Sequence, residues 1–326
     1  MARGGVLSRG GSYAERRSSG METGRDRVGS LMYERFYGLT ERPFELTPNP
    51  RYLFLSPGHA EALTMLQYGC SRRNGLTLLI GDAGTGKTTL IYAALEAQRS
   101  SNALNVFLTN PALTREEFFD FLAVGFGLSS EARASKSRLL IELSQSLAER
   151  HHSDGPSALI IDEAQCLSDA LLEEIRLLGN IETPTEKLLS IILIGQSELS
   201  ERLDAASMRQ LKQRVALRCT LAALDIGETI SYIGTRLRVA GGDASTIFSR
   251  AAVGAIFSAS GGIPRTISVI CENALINGFA LQRRPIGTDI IVEVCRDHMI
   301  AMPADVATAP AAAPADERPP APFSFF

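Results

Sequence analysis

The 326-residue chain has no tryptophan, five cysteines and only four lysines, although it carries 33 basic residues. The cysteines (Cys70, Cys166, Cys219, Cys271 and Cys295) are widely spaced without a C-x-x-C pair. That spacing argues against zinc and against a disulfide framework, and so for a reducing compartment. Long apolar runs are also missing: a stretch such as 188–194 falls far short of the ~20 residues a membrane span needs. With no apolar leader at the N-terminus either, the expectation is a soluble cytoplasmic chain. Net charge is only −3, which gives no support to bulk electrostatic attachment to nucleic acid or an anionic membrane. In a chain so poor in lysine, one that falls inside a motif is informative.

The two ends have little to bury. Residues 1–31 hold seven glycines, five serines and six arginines against three acids, and are expected to be disordered, or absent if the natural start is Met32. Residues 302–326 hold six of the fifteen prolines and eight alanines, a second disordered tail ending in Phe323, Phe325 and Phe326. The head carries +3 and the tail −2, so the stretch between them carries −4.

Within that stretch, short apolar runs at 76–80, 104–108, 158–161 and 188–194 read as buried parallel strands. Amphipathic segments at 87–99, 114–126, 136–150 and 169–179 read as the helices between them, which predicts an α/β fold with a parallel sheet covered on both faces. After about residue 222 the strand pattern stops. Segments 226–240, 246–259, 264–282 and 288–299 read as helices broken at Gly241-Gly242 and Gly261-Gly262, a small all-helical lid. The expected division is 32–221 for the core and 222–301 for the lid.

Chemistry enters with Gly81-Asp82-Ala83-Gly84-Thr85-Gly86-Lys87-Thr88, a complete G-x-x-x-x-G-K-[ST] phosphate loop (Walker A), followed by Thr89. It lies after an apolar strand and opens a helix, the context in which backbone N–H groups and a helix N-terminus surround phosphates. Lys87 is expected at the β- and γ-phosphates and the Thr88 hydroxyl on Mg²⁺, with ATP as the nucleotide. The second element is the apolar run 158–161 followed by Asp162 and Glu163 (Walker B). Asp162 would hold Mg²⁺ through water and Glu163 would polarise the attacking water; a strand ending in Asp-Glu is otherwise often a helix cap. The polar tip Gly195-Gln196 would sit between those acids and the γ-phosphate if its strand adjoins 158–161, and is otherwise a plain strand-to-helix loop.

This order of motifs resembles the AAA+ ATPases, with P-loop sheet core and helical lid. Tyr33-Glu-Arg-Phe36-Tyr37-Gly38-Leu39, Pro43-Phe44, Thr47-Pro48-Asn49-Pro50 and Ser56-Pro57-Gly58-His59 resemble the N-terminal strap of the general-secretion-pathway A-type ATPases. Within that group the chain is most similar to the shorter ATPases associated with exosortase and exopolysaccharide systems. Asn110-Pro111-Ala-Leu113, Asp162-Glu163-Ala164-Gln165 and Gly195-Gln196-x-Glu198-Leu199 share the likeness, which runs from about Met32 to Ile300.

The resemblance implies that Arg265, in Gly261-Gly262-Ile263-Pro264-Arg265, is a lid arginine that senses the γ-phosphate. It also implies an arginine finger acting on a neighbouring subunit, Arg214 first and Arg209 second, and hence a homo-oligomer with ATP sites between subunits. Protein partners from a secretion or exopolysaccharide system follow, with attachment to the inner membrane only through them. The strap is expected to cover the sheet edge with its aromatics; a share in the adenine pocket rests on the resemblance. Longer members continue into a membrane span and a cell-wall-binding module, and here a Pro/Ala tail stands in that place. Two other readings stay open: a DNA-binding ATPase of the transposon-targeting or initiator type, through a basic patch at Arg202, Arg209, Lys212 and Arg214, and a nucleotide-gated switch with negligible turnover.

Overall fold

A computed structural model of the chain describes residues 32–303, apart from Pro48, Arg73, Asn74, Ser100 and Ser101. The expectations for 1–31 and for most of the tail fall outside those residues. Among the described residues five strands form one sheet: β1 (Leu76–Gly81), β2 (Leu104–Leu108), β3 (Ser157–Ile161), β4 (Ser190–Gly195) and β5 (Val215–Leu221). Their order is β2-β3-β4-β1-β5 and every pairing is parallel. The α/β expectation holds, with β5 added to the four strands read from sequence and β4 starting at Ser190 rather than 188.

Successive side chains in a strand point to opposite faces, and the core divides accordingly. Leu78, Ile80, Leu159, Ile161, Ile191 and Leu193 pack into one apolar cluster with Phe118, Leu122, Leu139 and Leu143 from the helices Arg115–Gly125 and Lys136–His152. Leu79, Ala158, Ile160, Ile192 and Ile194 face the other way, onto Leu66, Leu90 and Ile91 of the helices Pro57–Ser71 and Lys87–Glu96. Burial on both faces is why β1, β3 and β4 read as unbroken apolar runs. At roughly 1.5–3 kcal/mol for each fully buried large aliphatic side chain, this two-sided layer is the main stabiliser of the sheet. An internal ion triad joins the first face: buried Glu174 receives Lys136 at 2.7 Å and also Arg115.

After β5 the chain forms the helices Ile226–Val239, Ala244–Ile247, Arg250–Ser260, Pro264–Ala280 and Thr288–Asp297. The first opens on a capping box in which Asp225 accepts from the Glu228 N–H and the Glu228 side chain accepts from the Asp225 N–H. The single helix expected over 246–259 is two. Asp243 and Ser249 each cap a separate start, and between them Phe248 becomes extended and bridges to Ile286. Gly261 and Gly262, at φ +58° and +75°, make the break before Pro264.

The strap departs most from expectation. Tyr33, Tyr37, Leu39 and Phe44 do not cover the sheet edge; they are buried in the apolar cluster of the lid, with Ile233, Leu237, Ile270 and Leu275. The Thr40 N–H donates to the Ala240 carbonyl at 2.8 Å, and Arg236 donates to the carbonyls of Pro43 and Glu45 at 2.5 and 3.1 Å. The guanidinium of Arg236 also lies over the rings of Phe44, Tyr52 and Tyr232. The exchange between the two bodies falls between neighbours: Leu53 packs on the sheet cluster and Phe54 on the lid cluster. Among the described residues, no helix is long and apolar enough to cross a membrane.

Candidate nucleotide site

The strand order brings the chemistry together. β4 lies between β1 and β3, so the carboxyl ends of all three are adjacent, and loops leaving such ends form the crevice of an open parallel sheet. Gly81 ends β1, Asp162 and Glu163 follow β3, and Gln196 follows β4.

From β1 the loop Gly81–Gly86 turns into the helix opened by Lys87. Gly84 and Gly86 sit at φ +82° and +101°, conformations that side chains with a Cβ avoid. A Cβ on Gly84 would also stand 2.8 Å from the Cβ of Arg265. Thr85 is buried and its hydroxyl ties the loop to the Asp82 carbonyl at 2.8 Å, while Asp82 and Ala83 are exposed at the rim. The buried Lys87 ammonium donates to the carbonyls of Gly81 and Asp82 at 2.7 and 2.9 Å. Burial holds this lysine below its ordinary pKa, against the opposing pull of Glu163 and Asp162.

Thr88 donates from Oγ1 to Asp162 Oδ2 at 2.8 Å, and the other carboxylate oxygen of Asp162 accepts the Glu163 N–H at 2.9 Å. A hydroxyl and a carboxylate so placed are the hard oxygen donors that Mg²⁺ takes.

Glu163 has φ +51°, a left-handed conformation rare for a residue with a side chain. Its carboxylate accepts from Gln165 at 2.5 Å and from Gln196 at 3.2 Å. Burial works to raise the Glu163 carboxyl, but the two amides and the Lys87 ammonium outweigh it and hold the group below the ordinary glutamate range. It is therefore ionised at neutral pH, as a base must be. Gln165 does double service, because its own Oε1 accepts the Gln196 backbone N–H at 3.1 Å. Arg202 in turn donates to the carbonyls of Gln165 and Leu167 at 2.7 and 2.8 Å and to Asp169 at 2.6 Å.

The lid closes the other side. The Arg265 N–H donates to the Gly84 carbonyl at 3.2 Å, which places this exposed arginine directly against the loop. Beside Thr85, Gly86 and Thr89 lies a small cavity of about 70 Å³, walled by Tyr52 and Phe54 before the sheet and by Tyr232 and Arg236 of the lid. A larger cavity, about 740 Å³, is lined by Arg72, Asp154 and Lys187, residues that adjoin the amino ends of the strands, away from the loop.

Arg214 is not part of this cluster. It directly precedes Val215, which pairs with Leu76 at the far end of β1 from Gly81. Five residue steps of strand, roughly 17 Å, separate the two ends. Arg209, itself exposed, opens a short helix, Arg209–Lys212, on the same approach to β5.

The structure thus brings Lys87, Thr88, Asp162, Glu163, Gln196 and Arg265 together and sets Arg214 and Arg209 apart. The sequence assigned no role to Gln165, His59 or Arg236, and placed Arg202 only in the basic patch of the DNA-binding alternative. Gln165 and His59 stand inside the quoted motifs, whereas Arg236 and the hold of Arg202 on the Gln165 loop emerge only through tertiary contacts.

Fold and site together define a P-loop nucleoside triphosphatase of AAA architecture: residues 71–203 match the family described as an AAA domain. In sequence the chain is similar to General secretion pathway protein A of Aeromonas hydrophila, with 39% identity over 249 residues that cover 76% of this chain. The chain spans 45% of that relative's length, so the likeness concerns the part that carries the AAA domain. Among solved structures, Cdc6p from Pyrobaculum aerophilum superposes with a TM-score of 0.61 at 18% identity, over 78% of this chain and 70% of that one. The Aeropyrum pernix ORC2 protein in its ADPNP-ADP complexes gives 0.57 at 16% identity, over 79% and 71%. These two likenesses concern the fold.

Proposed function

We propose that the chain binds ATP in the crevice between loop 81–89 and the lid, hydrolyses it, and converts the cycle into movement of the lid against the sheet within a homo-oligomer. One observation carries the reading: Thr88, Asp162, Glu163 and Gln196, from three adjacent strand ends, meet through direct hydrogen bonds. Lys87 would leave the loop carbonyls for the β- and γ-phosphates, and the backbone N–H groups of Gly81–Thr88, with Thr89, would line the phosphate chain. The Thr88 hydroxyl and Asp162 would hold Mg²⁺, which when bound neutralises charge on the phosphate oxygens. Glu163 would take the proton of the attacking water while Gln196 orients its carboxylate. Arg265 would report the γ-phosphate to the lid, and the small cavity by Tyr52 and Tyr232 would widen to seat the base as the lid moves.

Arg214, with Arg209 as second choice, would serve the site of a neighbouring copy; its place at the opposite end of β5 keeps it from its own. The likeness to General secretion pathway protein A supports a protein partner in a secretion system, and the motif pattern favours the exosortase and exopolysaccharide branch. The DNA-binding alternative draws on a basic patch that is partly engaged within the chain. Arg202 holds Asp169 and Lys212 holds Asp204 at 2.7 Å. The test is ATP turnover by the purified chain, with and without DNA, beside a pulldown using Glu163→Gln loaded with ATP. Turnover indifferent to DNA with capture of secretion or polysaccharide proteins supports the reading. Steeply salt-dependent stimulation by DNA replaces it with the alternative, and no turnover in the assembled wild type leaves the nucleotide-gated switch.

A further inference from the structure

His59 is buried under the phosphate loop, and none of the roles above uses it. It stands in the first turn of the helix Pro57–Ser71, whose cap is Ser56. Its Nε2 lies 3.0 Å from the carbonyl oxygen of Thr85, and its Nδ1 lies 2.8 Å from the hydroxyl of Ser56. A carbonyl only accepts, so Nε2 carries the hydrogen. In a neutral ring Nδ1 is then the acceptor, and the Ser56 hydroxyl donates to it. Burial pushes this imidazole below its ordinary pKa against the opposing effect of the Thr85 carbonyl, which keeps the ring neutral and this tautomer fixed.

The stereochemistry of the peptide bond gives that hydrogen bond a consequence on the other side of the loop. In a trans peptide the carbonyl of one residue and the N–H of the next point in opposite directions. With the Thr85 carbonyl held toward His59, the Gly86 N–H is turned away from the ring. The ring also abuts Gly86 itself, where a Cβ would stand 3.4 Å from Nε2. The preceding carbonyl, that of Gly84, is held from the lid by the Arg265 N–H. Two successive peptide planes of the loop are thus anchored by two different bodies.

Resting on the nucleotide site proposed above, we infer that His59 is a positioning residue for phosphate binding: it fixes the 85–86 peptide so that the Gly86 N–H is presented to the phosphate chain of a nucleoside di- or triphosphate. Its donor at Nε2 is the working group, and Ser56 supplies the tautomer.

The test compares two amides. A glutamine reaches the place of Nε2 with an N–H; an asparagine reaches only the place of Nδ1. Binding of fluorescent ATP and ADP analogues is measured for wild type, His59→Gln, His59→Asn and Ser56→Ala, beside melting of each protein without nucleotide. His59→Asn is expected to lose tenfold or more in affinity for both nucleotides, His59→Gln to recover most of it, and both to melt alike. Ser56→Ala is expected to lose about threefold while folding normally, and decides the matter if the asparagine variant does not fold. Equal affinity in wild type and His59→Asn overturns the inference, as does a glutamine variant no better than asparagine at the same melting temperature. A wild type that binds no nucleotide, or binds it no better than Lys87→Ala, overturns the nucleotide site itself and His59 with it.

Discussion

Thr88 and Asp162, 74 residues apart in sequence, are joined by a 2.8 Å hydrogen bond from hydroxyl to carboxylate. That bond ties the first turn of the loop helix to the end of β3 and sets the register between phosphate loop and acids on which every step of the proposed chemistry depends.

Lys87→Ala is expected to abolish ATP binding while leaving the melting temperature of the nucleotide-free chain near wild type. Asp82 lies at an exposed rim where its carbonyl can take water, and the space vacated by the lysine opens the same route to the Gly81 carbonyl. Calorimetric titration with ATP checks it; unchanged affinity would remove the phosphate-site assignment.

Glu163→Gln should bind ATP with near wild-type affinity and hydrolyse it at least ~10-fold more slowly, because an amide cannot take the proton of water. Single-turnover hydrolysis separates the two effects. A variant as fast as wild type would leave Glu163 as no more than a turn residue.

Arg214→Ala is expected to keep ATP binding and lose at least ~10-fold in turnover. Mixed with Lys87→Ala, it should regain activity, since each variant then supplies what the other lacks. Full activity of Arg214→Ala alone would exclude it from the site and pass the question to Arg209.

Gly261 and Gly262 make a paired comparison at the lid. Both have positive φ, but a Cβ on Gly261 meets nothing within 4 Å while one on Gly262 would lie 1.9 Å from the Leu224 carbonyl oxygen. Gly261→Ala should cost ~1 kcal/mol of stability from backbone strain alone. Gly262→Ala should cost at least ~2–3 kcal/mol, because Leu224 must shift as well. Denaturant unfolding of the two variants reads the difference, and equal costs would contradict the packing.

Glu272 offers a test by pH. Burial raises its carboxyl above the ordinary value, only partly offset by the Tyr33 hydroxyl at 2.6 Å and by Arg42, and one carboxylate oxygen has no partner. The folded state therefore holds the proton more tightly than the unfolded one. Stability is full below the unfolded value, about pH 4.3, and falls as pH rises through the raised one. Glu272→Gln, which still accepts from Tyr33, should melt higher than wild type at pH 8, with the gap closing toward pH 4. Parallel melting curves across that range would show that the residue does not titrate this way.

What the sequence revealed depended on how local each feature is. A phosphate loop needs its glycines, lysine and threonine consecutive, so Gly81–Thr88 was legible outright, and β3 with Asp162-Glu163 nearly so. β5 was missed because it lies at the sheet edge: Ala216, Arg218 and Thr220 face solvent, and the run loses the continuous apolar character of β1 and β4. The strap motifs were recognised but misplaced, since aromatic spacing in 33–44 says that a face is buried and not against what. The engagement of Arg202 with the Gln165 carbonyl joins residues 37 apart and leaves no local trace.

The division of contacts between Leu53 and Phe54 has a mechanical consequence. The chain passes from lid to sheet there, and it passes back from sheet to lid between Leu221, in the sheet cluster, and Leu224, in the lid cluster. A body tethered by one strand swivels about any axis; a body tethered by two can only rock about the line joining its tethers. ATP turnover at the crevice would then drive the lid through one stroke of defined direction.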